Sequence, residues 1–271
     1  MASMDADAAL HAYDEQVRRS LVPPHPDWTV ALVSQNRVMR VVSPPGHEYG
    51  CYVIWTDLDE SDADEVITEQ VEFFARLGRS FEWKWFGYDR PDDLRARLVR
   101  AGFVAEEDET LVVGEVDEVV DRCAAAEVAE GVTLRHVRTD DLDSDFAGIV
   151  ALNQTVWGED LSWLMAELRQ ELAEAPDDLR IHVAEADGRL VCAAWVRFHQ
   201  GTEFASLWGG STLPEWRRKG IYRALVGRRA VQARDRGFRY LQVDASDDSR
   251  PILQRLGLET LTGTTPFRWQ P

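Results

Sequence analysis

The chain has 271 residues, enough for two modest domains, and its 45% hydrophobic and 29% charged residues exclude a fibrous repeat or a long disordered tail. Asp and Glu outnumber Lys and Arg by 48 to 30, and the net charge of −18 argues against nucleic acid and anionic membrane as partners. No run of about 18 apolar residues could cross a bilayer as a helix, and the N-terminus, with Asp5, Asp7, Asp14 and Glu15, lacks the apolar stretch of an export signal, so a cytoplasmic location is expected.

In chain order, a first helix is expected from Asp5 to Arg19, stopped by Pro23, Pro24 and Pro26. Val30–Ser43 and Tyr49–Trp55 are rich in β-branched and aromatic residues and read as antiparallel strands separated by Pro44-Pro45-Gly46. A helix follows, with Ser61 and Asp64 as a capping box, apolar residues at helical spacing from Val66 to Leu77, and Gly78 as its stop. Next come a strand at Trp83–Tyr88, a helix from Asp92 to Ala101 closed by Gly102, and a strand at Thr110–Val116; the acidic stretch Asp117–Glu130 reads as a connection. The second half opens with a strand at Thr133–Val137 and a helix that Thr139 can cap. Strands at Ile181–Ala186, Leu190–Phe198 and Phe204–Leu213 follow, then a helix from Ile221 to Arg236, a strand at Tyr240–Ala245 and a helix from Arg250 to Leu256. Trp85–Asp89 aligns on Tyr240–Asp244, and Leu98 and Gly102 on Leu253 and Gly257, at a constant spacing of 155 residues, which favours an internal duplication.

The run Trp208–Leu225 carries the chemistry. Adjacent Gly209 and Gly210 weaken a strand and point to a bulge or to the close approach of a backbone or a ligand. Six basic residues and no acidic one lie between Arg217 and Arg229, at the start of a helix entered through Gly220. A helix N-terminus flanked by guanidinium groups suits phosphate oxygens; a solvated basic helix face is the alternative.

Arg217-Arg218-Lys219-Gly220-Ile221-Tyr222 resembles the Arg/Gln-x-x-Gly-x-Gly/Ala signature of the GNAT superfamily of acyl-CoA-dependent N-acetyltransferases, departing from it at Tyr222. The resemblance covers Val132–Trp269 and implies an α/β (α+β) fold of two tandem GNAT-like domains, each a mixed, mostly antiparallel sheet flanked by helices. Residues 1–117 would form a degenerate domain and 131–271 the acetyl-CoA-binding catalytic domain. The resemblance places the pantetheine arm of acetyl-CoA along Gly210, Ser211, Thr212 and Leu213. It places the pyrophosphate on the loop through Arg218, Lys219, Gly220, Ile221, Tyr222 and Arg223, which Arg217 orders. The corresponding segment of the first half, Trp55–Asp62, carries Asp57, Asp59, Glu60 and Asp62 and no glycine, so it would repel a pyrophosphate.

The implied reaction moves an acetyl group to a small-molecule or peptide amine, and some group must take the amine's proton. Glu203 ranks first as base, ahead of Asp244 and His199, and a backbone N–H near Thr212 would stabilise the oxyanion. The family's tyrosine acid is replaced by Leu253; Ser249 and Tyr222 are the remaining hydroxyls, and a CoA thiolate with a pKa near 8.5 needs little help to leave. Trp157, Glu159 and Asp160 lie where the family builds its acceptor pocket, and the acidity of Glu159, Asp160, Glu167 and Glu171 points to a cationic acceptor. Without turnover, the same features would make an acyl-CoA sensor or partner module. Cys51, Cys123 and Cys192 are too far apart for a zinc knuckle or disulfide framework, the six histidines show no ligand spacing, and Asp141-x-Asp143-x-Asp145 has Phe146 where a calcium loop needs glycine, so no metal is expected.

Overall fold

In the computed structural model, which describes residues 4–20, 27–47, 50–138, 140–158 and 161–271, helix α1 (Ala6–Tyr13) is capped by the Asp5 carboxylate and runs into a π-helical turn at Asp14–Arg18. Strands β1 (Thr29–Val33), β2 (Val38–Val42) and β3 (Tyr52–Thr56) follow. The stretch expected to be one strand is therefore a hairpin: Ser34, Gln35 and Asn36 all take positive φ, a left-handed turn that the β-rich composition concealed. Helix α2 (Ala63–Leu77) ends at Gly78 in the left-handed conformation. Its expected capping box does not form, because the amide and hydroxyl of Ser61 both donate to Asp59. Then come β4 (Phe81–Phe86), α3 (Leu94–Arg100), β5 (Val104–Ala105) and β6 (Glu109–Glu115).

The acidic connection is in part a helix, α4 (Val116–Cys123), which buries Val116, Val119 and Cys123 on one face. Strand β7 (Thr133–His136) and helices α5 (Leu142–Trp157) and α6 (Ser162–Glu174) follow, Thr139 lying outside the described residues. The remaining elements are β8 (Leu179–Ala186), β9 (Arg189–Phe198), β10 (Phe204–Thr212), α7 (Ile221–Asp235), β11 (Tyr240–Ala245), α8 (Arg250–Arg255) and a final strand, β12 (Glu259–Trp269), that the sequence pattern did not reveal.

The chain folds as two units, Met1–Val112 with Asp244–Pro251 and Thr260–Pro271, and Val113–Val243 with Ile252–Glu259. In the first, the strand order is β1-β2-β3-β4-β12-β6, with β5 also on β12. The β3–β4 pair is parallel and the β12–β4 pair antiparallel, with Thr264 opposite Phe86 and Trp269 opposite Phe81. Its core gathers Phe74, Phe81, Trp83, Leu98, Phe103 and Phe267. In the second unit the order is β11-β10-β9-β8-β7, with β10–β11 parallel and the other pairs antiparallel, and the core lies between β8 and β9 and helices α5 and α6. Each unit is thus a mixed sheet flanked by helices. The positions that align in sequence are alike in structure: Leu98 and Leu253 are both fully buried, and Gly102 and Gly257 close their helices at φ of 93° and 96°. Among the described residues no helix is long and apolar enough to cross a membrane, and the three cysteines are free and buried.

Because the last six rungs of β12 pair with β4, residues 118–271 expressed alone should leave Thr264–Trp269 without a partner strand and Phe267, now 1% exposed, in water. Amide exchange over residues 264–269 should then be fast in the fragment and slow in the whole chain; equal protection would mean that this strand does not depend on β4.

Candidate active site

In the second unit, the parallel pair β10–β11 runs for only three rungs, Phe204 to Ser206 against Tyr240 to Gln242. Beyond Ser206, β10 keeps β9 on one side, and among the described residues no strand stands opposite the backbone groups of its other edge. Within that stretch the β9 register shifts: Trp208 faces Trp195 and Ser211 faces Ala193, so Gly209 and Gly210 stand against Ala194 alone as a bulge. Both glycines are explained by neighbouring side chains. Gly209 has φ of 67°, and a Cβ there would lie 1.8 Å from the Trp195 ring; a Cβ on Gly210 would lie 2.6 Å from the Tyr222 ring.

The chain then enters a short 3₁₀ turn (Pro214–Trp216) and the loop to α7. Arg217 Nε donates to the Thr212 carbonyl at 3.2 Å, tying the loop to the end of β10. Arg218 and Gly220 take φ of 60° and 76°, and Gly220 caps α7 with no side-chain partner for the first-turn N–H groups. Left-handed residues in a loop entering a helix are a feature of anion-binding concavities, to which the helix dipole adds. A Cβ on Gly220 would lie 1.9 Å from the Glu127 carbonyl oxygen, and Ala129 N–H donates to the Lys219 carbonyl, so the segment after α4 packs against this loop. Lys219 Nζ sits 4.2 Å from the centroid of the Trp216 ring, and Arg223 donates to the Arg122 carbonyl. Ile221 is buried.

The structure brings several expected site residues together. Trp157, 56% exposed at the end of α5, donates its indole N–H to Ser211 Oγ at 2.8 Å, joining the expected acceptor side to the expected cofactor strand. Thr212 Oγ1 lies 3.0 Å from Cys192 Sγ, and Leu213 packs in the core beside Ile221. Glu159 and Asp160 lie outside the described residues. Glu171 grips Arg197 through both carboxylate oxygens, so its charge is already matched.

Glu203 is not at the splay. It precedes the three paired rungs, its carboxylate lies 3.6 Å from Arg239, and six residues of strand put it roughly 20 Å from Gly209. Asp244, in the first unit, faces Lys84 at 3.6 Å. His199 stands nearer, with Nε2 2.8 Å from Ser206 Oγ, which also accepts the Trp208 indole N–H. Leu253 is fully buried where the resemblance would put a tyrosine. Ser249 contacts Ser246. Tyr222 has its pKa raised by burial. Among the described residues no three His, Cys, Asp or Glu side chains are arranged to hold a metal.

Burial pushes the pKa of His199 down to about 4 and that of His182, held by Gln232, down to about 3. An unfolded histidine titrates near 6.5, so below that pH the unfolded chain takes up protons that the folded one refuses, and stability falls with falling pH. His182 alone should cost about 2 kcal/mol between pH 7.5 and pH 5. Urea midpoints at the two pH values should show this slope, and it should shrink in His182→Gln.

A parallel strand pair that parts beside a bulge, followed by an anion-type loop entering a helix, defines the GNAT acetyltransferase class of fold. Residues 141–258 match the acetyltransferase (GNAT) family model and form a GNAT acetyltransferase domain. Solved structures share the fold over nearly the whole length. A GCN5-related N-acetyltransferase from Kribbella flavida superposes with a TM-score of 0.67 at 16% identity, covering 100% of this chain and 97% of that one. A functionally unknown conserved protein from Staphylococcus epidermidis gives 0.68 at 13% identity, covering 96% and 99%. A tandem GNAT protein from the clavulanic acid biosynthesis pathway gives 0.60 at 13% identity, covering 99% and 97%. Comparison with curated proteins gives no match.

Proposed function

We propose that the chain is an acyl-CoA-dependent N-acetyltransferase that moves an acetyl group from acetyl-CoA to an amine, with residues 131–271 carrying the reaction and residues 1–117 a degenerate GNAT-like half. The observation that carries this reading is the GNAT domain match at 141–258, laid over a splayed β10–β11 pair and an α7 whose first turn has no side-chain cap. The open edge of β10 from Gly210 to Leu213 suits the amide groups of pantetheine. The first-turn amides of α7, from Gly220 to Arg223, with Arg218 and Lys219 beside them in sequence, suit the pyrophosphate.

In the reaction, the neutral amine attacks the thioester carbonyl, the N–C bond forms, the C–S bond breaks, and CoA thiolate leaves. A backbone N–H near the bulge, between Gly210 and Thr212, would receive the negative charge that builds on the carbonyl oxygen. Glu203, the first-ranked base, lies a strand's length from the bulge, beyond the reach of a single water, so it could take the amine's proton only along a chain of several waters. Trp157 would border the acceptor, with Glu159 and Asp160 close to it in sequence favouring a cation.

The first unit supports the division of labour. Its parallel pair β3–β4 has two rungs, Tyr52 with Glu82 and Val53 with Trp83. Past them Arg18 fills the gap: its Nε donates to the Ile54 carbonyl at 2.9 Å and its guanidinium lies 3.7 Å from the Phe86 ring centroid.

The test is acceptor-dependent release of CoA from acetyl-CoA across amines, including a pair differing by one remote positive charge, at low and high salt. Faster turnover of the cation that fades with salt is expected. Binding of CoA with no acceptor-dependent release would mark a sensor, and no CoA binding would end the reading.

A further inference from the structure

Arg229, on the third turn of α7, is 1% exposed, and among the described residues no carboxylate pairs with it. A buried guanidinium cannot shed its proton, so its charge must be met by other groups. It is met by carbonyls. Nε donates to Leu225 O at 3.1 Å, one turn back, while Nη1 donates to Trp195 O at 3.1 Å and Trp208 O at 3.3 Å. Trp195 and Trp208 are opposite partners, and theirs is the last rung before the register shifts at Gly209 and Gly210. The titratable groups whose charges act on it are Tyr222, Cys192 and Cys123, all neutral when protonated.

We infer that Arg229 is a positioning residue: it pins the bulge of β10 to α7 and thereby fixes the direction of the backbone amides at Gly209–Ser211. This rests on the acyltransferase reading for its chemical use, though not for its geometry. A bulge leaves ladder groups unpaired and can slip, since two residues oppose one. Here one nitrogen collects a carbonyl from each strand at the rung where slippage would start, and the Trp195 ring closes the space over Gly209. A hydrophobic residue would fill this volume at lower desolvation cost, but it would leave the Trp195 and Trp208 carbonyls without these donors. The fixed positive charge also sits beneath the strand segment where a thioester oxygen would gain negative charge, so it acts on that oxygen through the amide it orients.

Arg229→Met removes donors and charge, Arg229→Gln keeps a neutral donor nitrogen, and Arg229→Lys keeps the charge on a single donor nitrogen. In the protein without ligand, amide exchange at residues 208–212 should rise at least tenfold in the Met variant, less in Gln and Lys, with β11 unchanged. With carbonyl-labelled acetyl-CoA, infrared spectra should show a thioester stretch lowered from its value in water in the parent. In Met it should return toward the water value, while the affinity for CoA itself stays within threefold and kcat falls on the order of 100-fold. Unchanged exchange at 208–212 in Met overturns the positioning role outright. So does an unshifted thioester stretch in a parent that binds acetyl-CoA. If Met does not fold, the Gln and Lys variants decide by the same exchange readout, and exchange at 208–212 equal to the parent's in both overturns the role. Loss of CoA binding in the parent is a different result, and it ends the acyltransferase reading while the exchange data still judge the bulge.

Discussion

Arg18→Ala should destabilise the first unit by about 3–5 kcal/mol, the cost of removing one partner from a buried ion pair. The guanidinium is 1% exposed; Nη2 holds both oxygens of Asp89 at 2.9 and 3.1 Å, and Nη1 donates to Asp14 at 2.7 Å and Tyr88 at 2.8 Å. Without it, Asp89 keeps only the Phe86 amide among these partners and stays buried. Burial already raises the Asp89 pKa against the pull of Arg18, and deleting that pull raises it further. A carboxyl whose folded pKa lies above its unfolded value stabilises the fold when protonated and loses that contribution as pH rises. The deficit of Arg18→Ala relative to the parent should therefore be larger at pH 8 than at pH 4.5, measured from denaturant midpoints. Because the variant leaves a hole lined by Asp14, Asp89 and the Ile54 carbonyl, millimolar ethylguanidinium should recover part of the loss and ethylammonium less. An equal deficit at both pH values, with no rescue, would show that the charge of Asp89 is not what Arg18 neutralises.

Gly220→Asp should abolish CoA binding on the proposed reading, with a loss of at least about 100-fold. Two effects combine. Gly220 holds φ of 76°, and any Cβ there lies 1.9 Å from the Glu127 oxygen, a backbone atom that cannot swing aside without moving the segment after α4. The carboxylate adds a negative charge roughly 5 Å from the expected pyrophosphate, worth about 3 kcal/mol at an effective dielectric of 20. Gly220→Ala carries the steric effect without the charge and should lose less, so calorimetry with CoA on both variants separates them. One site per chain is expected in the parent. Unchanged affinity in the Asp variant would move the pyrophosphate off this loop.

The sequence disclosed the second unit better than the first because its elements are long and regularly punctuated. Phe204–Leu213, Ile221–Arg236 and Tyr240–Ala245 emerge within about two residues of β10, α7 and β11, and the loop signature between them needs only local spacing. What escaped notice depends on partners distant in sequence. Strand β12 is rich in Thr and aromatic residues, but Pro266 in its middle argues against a strand; its meaning appears only once β4 lies beside it. Helix α4 was hidden by its acidity, although Val116, Val119, Val120 and Cys123 have helical spacing. Arg18 reads as an ordinary helical cation and Arg229 as one of the six cations expected to face phosphate, whereas both are 1% exposed and Arg229 is spent on the Leu225, Trp195 and Trp208 carbonyls; nothing local says that either is buried. Gly209 and Gly210 were legible as a bulge, whereas the rings that require them, Trp195 and Tyr222, come from another strand and a helix.

The path of the chain also sets the order in which the protein can be made. Because the first unit needs Thr260–Trp269 beside β4, that sheet cannot close until residue 269 has emerged from the ribosome, although β1 to β4 emerge far earlier. During synthesis β4 therefore waits with one edge open and Phe81, Trp83 and Phe86 incompletely covered, while the second unit, which needs nothing beyond Glu259, can assemble first. The half that comes second in the sequence is thus the one able to finish first, and the nascent first half is the one that depends on protection from aggregation until Thr260–Trp269 reach it.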